Sequence, residues 1–74
     1  MLLWKMTLYI NNVQEKVDAI TFKSPLGPMT ILPNHQTLVA NGELMSYLRE
    51  GKQIMVKAVG ILKVEKNIIL FCSY

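Results

Sequence analysis

Glu43-Leu44-Met45-Ser46-Tyr47-Leu48-Arg49-Glu50-Gly51-Lys52-Gln53-Ile54-Met55-Val56-Lys57-Ala58 holds two alternating runs with a turn between them. Leu44, Ser46 and Leu48 share one face of the first run, and Ile54, Val56 and Ala58 share one face of the second. A two-residue period places successive side chains on opposite sides of an extended strand. Glu50-Gly51 supplies the reversal between them.

The same period extends outward in both directions. Downstream, Gly60 interrupts a strand-like stretch and marks a bulge or a close backbone approach. Ile61 to Val64 continues the strand, Glu65-Lys66-Asn67 turns, and Ile68 to Cys72 forms the last strand. Upstream, Trp4, Met6, Leu8 and Ile10 alternate with Lys5, Thr7 and Tyr9, and Asn11-Asn12 ends that run. Ile20 and Phe22 alternate next, with Val17 out of phase, which predicts a bulge near Asp18. Two prolines and a glycine in Ser24-Pro25-Leu26-Gly27-Pro28 exclude a helix or a central strand. Met29 to Leu32 ends at Pro33, and Leu38-Val39-Ala40 is closed by Asn41-Gly42, read as a turn. No window shows a 3.6-residue period. Many short strands with frequent turns predict an all-β sandwich or barrel with little or no helix.

The last strand is apolar on both faces: Ile68, Leu70 and Cys72 on one, Ile69 and Phe71 on the other. Both faces should then be covered. Two arrangements stay open: the strand closes the sandwich at a corner, or another chain supplies the second cover. Phe71 is expected to await a partner and Ile69 to be covered within the sandwich.

With 74 residues there is room for one domain, and such a chain buries only about 60% of its unfolded surface. That leaves little volume for an enclosed active site. Charged residues make up 18% and hydrophobic residues 51%, which excludes a disordered tail and leaves apolar surface for a partner. The net charge is +3, but the lysines are scattered and form no basic stripe. A single cysteine, Cys72, excludes an internal disulfide, and its apolar neighbours predict a buried, inert thiol in a reducing compartment. No apolar run approaches the roughly 20 residues of a spanning helix, and no signal-peptide pattern is read.

Catalytic groupings are scarce. His35 is the one histidine, and Glu15, Asp18, Glu43, Glu50 and Glu65 are dispersed. No phosphate-cradling glycine loop is present. No catalytic, metal-binding or cofactor-binding residue is assigned, and an enzyme is not expected. Tyr9 and Tyr47, read on the polar faces of their strands with Lys5 and Arg49 in phase, keep an alternative alive: a small barrel that stacks single-stranded nucleic acid.

Gly27-Pro28-Met29-Thr30-Ile31-Leu32-Pro33-Asn34-His35 resembles the G-x-x-G-I-L-P-G-H signature of the epsilon subunit of F-type ATP synthases. Asn41-Gly42-Glu43-Leu44 resembles that family's glycine-led entry into its central hairpin. Ala58-Val59-Gly60-Ile61-Leu62-Lys63-Val64 resembles its A-V-x-G-G-F-L-E-V stretch, and Asn67-Ile68-Ile69-Leu70 its final strand. The resemblance spans residues 4 to 72. Thr30 and Asn34 stand where the signature has glycines, and Pro28 where an acidic residue is usual. Asparagine tolerates positive φ, so Asn34 is expected to keep the loop's shape.

The resemblance implies a flattened sandwich of about ten short strands, spanning residues 1–74 as one domain. It implies a non-catalytic central-stalk subunit without cofactor, linking the gamma subunit to the membrane c-ring and coupling ATP synthesis or hydrolysis to proton or sodium transport. It implies a peripheral location on the cytoplasmic or equivalent membrane face, without insertion and without nucleic acid. Carried over by position, ring contact falls on Leu26, Gly27, Pro28 and Met29, with His35 close behind. Gamma contact falls loosely on the first strand and the turn after it, Leu8, Ile10, Asn11 and Asn12, and on Phe71. Most members continue into a C-terminal helical hairpin that regulates ATP hydrolysis; this sequence ends at Tyr74 and is expected to lack that function.

Overall fold

The computed structural model describes residues 6–34 and 36–74. Those residues form seven strands and no helix: β1 Met6–Ile10, β2 Val13–Val17, β3 Ala19–Ser24, β4 Gly27–Ile31, β5 Leu38–Arg49, β6 Lys52–Glu65 and β7 Ile68–Ser73. The all-β class follows from the alternation. The number of strands is seven, not about ten, because β5 and β6 run for 12 and 14 residues and absorb pieces that read separately. Asn41-Gly42 is the main correction. It lies inside β5, and neither residue has positive φ.

The turns that do form carry the backbone geometry two-residue hairpins require. Glu50 and Gly51 both have positive φ between the paired Arg49 and Lys52. Asn11 has φ 53° in the loop between Ile10 and Val13, and Lys66 has φ 56° between Glu65 and Ile68. Pro25-Leu26 closes the β3–β4 hairpin, and Pro28 sits in β4, an edge strand whose outer side needs no donor.

Hydrogen bonding joins all seven strands into one sheet, in the order β2-β1-β7-β6-β5-β3-β4. Neighbours are antiparallel except β1 and β7, which are parallel. Laid flat, β2 and β3 would lie five strand spacings apart, about 24 Å. Yet Asp18 alone connects them, and a two-residue step reaches about 7 Å. The sheet must therefore fold over on itself. Asp18 N–H donates to the Leu48 carbonyl at 2.7 Å, and the Asp18 carboxylate accepts from Glu50 N–H at 3.1 Å, fixing that corner. The result is sandwich-like packing built from one continuous sheet.

Register produces the curvature. Ile20, Tyr47 and Ile54 are partners across β3, β5 and β6, and so are Phe22, Leu44 and Ala58. The step between these two layers is two residues on β3, three on β5 and four on β6. Each added residue lengthens its strand relative to the last, as β-bulges do, and bends the sheet. Lys57, with φ 57°, is one site where the extra length is taken up. The bulge expected near Asp18 is instead at Thr21/Phe22 against β5.

The inward face gathers side chains from every strand. Met6 and Leu8, Val17, Ile20 and Phe22, Ile31, Leu44 and Tyr47, Leu62 and Val64, and Ile69 and Phe71 form one core. Gly42 and Gly60 face each other between β5 and β6. A Cβ on Gly42 would overlap the Lys23 carbonyl oxygen and the Phe22 ring, and one on Gly60 would overlap the Cys72 carbonyl oxygen. Four strands crowd together there, and glycine is what lets their backbones approach.

Candidate interaction surfaces

The β3–β4 hairpin carries the segment of strongest resemblance. Ser24 Oγ accepts from Leu26 N–H at 3.2 Å and donates to the Gly27 carbonyl at 2.9 Å, bracing the turn. Leu26 at its tip is fully exposed, at 100%. Gly27 has φ 122°, a conformation side-chain-bearing residues rarely adopt, although open space surrounds it. Pro28 is exposed and Met29 is half-buried against the core. Thr30 takes a regular strand position opposite Thr21, without positive φ, so this place asks for no glycine. An open groove of about 430 Å³ runs beside the tip, lined by Pro25, Leu26, Met29, Leu38 and Ala40 among others.

The chain then turns at Pro33-Asn34. Asn34 has φ 66°, as expected of an asparagine standing for glycine. Its N–H donates to Asn67 Oδ1 at 2.7 Å. His35, expected near the ring-facing loop, lies outside the described residues, as do Trp4 and Lys5.

The residues assigned to gamma contact separate. Asn11 and Asn12 are exposed in the β1–β2 turn, and Ile10 is half-buried. Leu8 and Phe71 are in the core, Phe71 at 1% exposure, so their side chains offer no surface to a partner. Phase decides this. Phe71 pairs with Leu62 and Ile10 on the inward side, while Ile68, Leu70 and Cys72 point out. Cys72 is accordingly exposed, not buried.

Tyr47 corrects the nucleic-acid alternative. The β5 bulge shifts it by one position into the core, where it pairs with Ile20 and Ile54. Tyr9 is half-buried on another strand, so the two rings make no common platform.

Among the described residues, no three histidine, cysteine or acidic side chains come together. Arg49 Nη1 donates to Glu15 Oε2 at 2.6 Å across the β2–β5 corner. That hydrogen bond, and then the carboxylate's charge, hold the guanidinium above its ordinary pKa. Ser46, buried at the second bulge, accepts from Gln53 Nε2 at 3.0 Å.

No protein-family model matches the chain, and no curated protein matches it.

A surface missing from the sequence reading is the outward side of β5, β6 and β7. Val39, Val59, Ile61, Ile68 and Leu70 are all exposed there. The signal was present in the two-sided apolarity of the last strand, which is consistent with a sheet face left uncovered within one chain.

Proposed function

We propose that this chain is a non-catalytic coupling subunit of the epsilon type, joining a gamma-type stalk subunit to a membrane ring of a rotary ATP synthase. The observation that carries the reading is the β3–β4 tip, where a fully exposed Leu26 stands beside Gly27 at positive φ. Leu26 shares an open apolar groove with Pro25 and Met29, and it falls on the segment that resembles the family's ring-facing loop. Asn34 supports the reading further, since it performs backbone geometry that the signature assigns to glycine. Leu26, Gly27, Pro28 and Met29 would face the ring, and Ile10, Asn11 and Asn12 the stalk. In this reading the protein is peripheral to the membrane and works through contact, with no chemistry of its own.

The test is a thermal scan of the chain with and without the purified gamma subunit from the same source. A ligand that binds only the folded state raises the melting temperature by mass action. An unchanged melt at saturating gamma removes the stalk assignment.

A further inference from the structure

We infer that the free edge of β5 from Leu38 to Asn41 is a strand-addition site, and that its occupant is an extended segment of a partner protein, apolar at every second residue. The inference rests on backbone pairing and not on the stalk reading, although Leu26 borders both sites. β6 accompanies β5 from Leu38, paired with Val64, to Arg49, paired with Lys52. β3 accompanies it only from Leu48 to Glu43. There the chain leaves β5, reversing through Pro25-Leu26 into β4. Leu38 to Asn41 therefore have a strand neighbour on one side only.

The ladders fix which main-chain groups are left over. Residues flanking a two-residue turn exchange both hydrogen bonds, and the direction alternates along each strand from there. Counting from Glu65 and Ile68, Lys63 and Ile61 face β7, and Val64 and Leu62 face β5. Their partners Leu38 and Ala40 then face β6, and Val39 and Asn41 face away from it. Counting from Ser24 and Gly27 gives the same result. Lys23 faces β5, its partner Glu43 faces β3, and Asn41 and Val39 follow at two-residue steps. Among the described residues, no hydrogen bond outside the ladders reaches the main chain of either one. The Tyr74 hydroxyl donates to the Asn41 side chain and leaves its backbone alone. Two N–H and two C=O groups, repeating at about 6.8 Å, match one further extended strand.

Side chains define what that strand carries. Residues opposite Leu38 and Ala40 would point into the open groove, whose lining of Pro25, Leu26 and Met29 is apolar. Residues opposite Val39 and Asn41, which are exposed, would point outward. β4, the outer edge of the same hairpin, is blunted by Pro28, which has no N–H to offer. Val39 and Asn41 both keep theirs.

The test uses the full chain and the peptide acetyl-Lys-Val-Thr-Val-Thr-Val-Lys-amide, followed by NMR hydrogen exchange. In the free chain the Val39 and Asn41 amides should exchange fast and the Ala40 amide slowly; the peptide should slow the first two. N-methylation of a threonine amide, which faces β5, should raise Kd by about tenfold or more, and N-methylation of a valine amide should change it little. Leu26→Asp should weaken binding without altering circular dichroism. The inference is overturned if Val39 and Asn41 are protected in the free chain, because the edge is then already covered, by another part of the chain or, where protection grows with concentration, by a second copy. It is overturned equally by a peptide that protects neither amide at its solubility limit, by N-methyl groups that cost the same on threonine and valine, or by undiminished binding to Leu26→Asp. No gamma subunit enters these measurements, so the stalk reading can fail without touching them.

Discussion

Asn34 and Asn67 hold each other across 33 residues of sequence. Asn34 N–H donates to Asn67 Oδ1 at 2.7 Å, and Asn67 Nδ2 reaches Asn34 Oδ1 at 3.4 Å. Asn67 also accepts from Thr7 N–H at 2.8 Å through its own carbonyl. The loop after β4, the β6–β7 turn and the start of β1 are thereby tied at one end of the molecule.

Removing that tie should be measurable. Asn67→Ala should cost about 1 kcal/mol, the usual net worth of a hydrogen bond. Asn34→Gly should be tolerated, because glycine adopts positive φ freely. Asn34→Val should cost about 1–2 kcal/mol more, because its branched side chain resists that backbone region. Urea melts of the three variants check the order.

Phe71 is the second case. It is buried in the core, so Phe71→Ala should cost about 3–5 kcal/mol in the isolated chain. For a domain whose whole stability is about 5–15 kcal/mol, that is a large fraction. Leu70→Ala, on the outward face of the same strand, should change stability by less than about 1 kcal/mol. Equal losses from the two variants would contradict the assigned phase of β7.

Gly60→Ala should be far worse than its small size suggests. The added methyl overlaps the Cys72 carbonyl, which is backbone and cannot rotate away. A cost of about 3 kcal/mol or more is expected, at the upper end of overpacking. Gly51→Ala meets no neighbour and strains only its own φ of 78°, so about 1–2 kcal/mol should be lost. Thermal melts of the two variants, side by side, separate backbone crowding from backbone strain.

At the hairpin, binding and folding can be separated. Gly27→Val strains a residue at φ 122° and should lower stability, so it is a poor probe of contact alone. Leu26→Asp alters a fully exposed side chain and should leave the melt within about 0.5 kcal/mol. In a reconstituted rotary enzyme it should lower ATP-driven ion pumping more than soluble ATPase rate. Unchanged pumping would remove the tip from the proposed ring contact.

Alternation in the sequence was enough to determine the all-β class, the strands around Met6, Ile20, Ile54 and Ile69, and the turns at Asn11-Asn12, Glu50-Gly51 and Lys66-Asn67. These depend on local chemistry: a period of two, and residues that accept positive φ. The reversal at Pro25-Leu26 was legible for the same reason, since proline acts locally, whereas Gly27 and Pro28, read as part of that break, begin β4. Three features were not legible. Asn41-Gly42 is extended because it pairs with Ile61 and Gly60 of β6, distant in sequence, and the missing side chain of Gly42 leaves room for Phe22 and Lys23. Tyr47 is buried because a bulge shifts its phase, and a bulge depends on what the neighbouring strands require. Phe71 joins Ile69, which was expected inside, in the core because a strand with two apolar sides leaves the choice to whichever packing the folded sheet provides. A period of two defines two faces; only the coil of the sheet, set by the single-residue link at Asp18 and the crowding at Gly42 and Gly60, decides which face is inside.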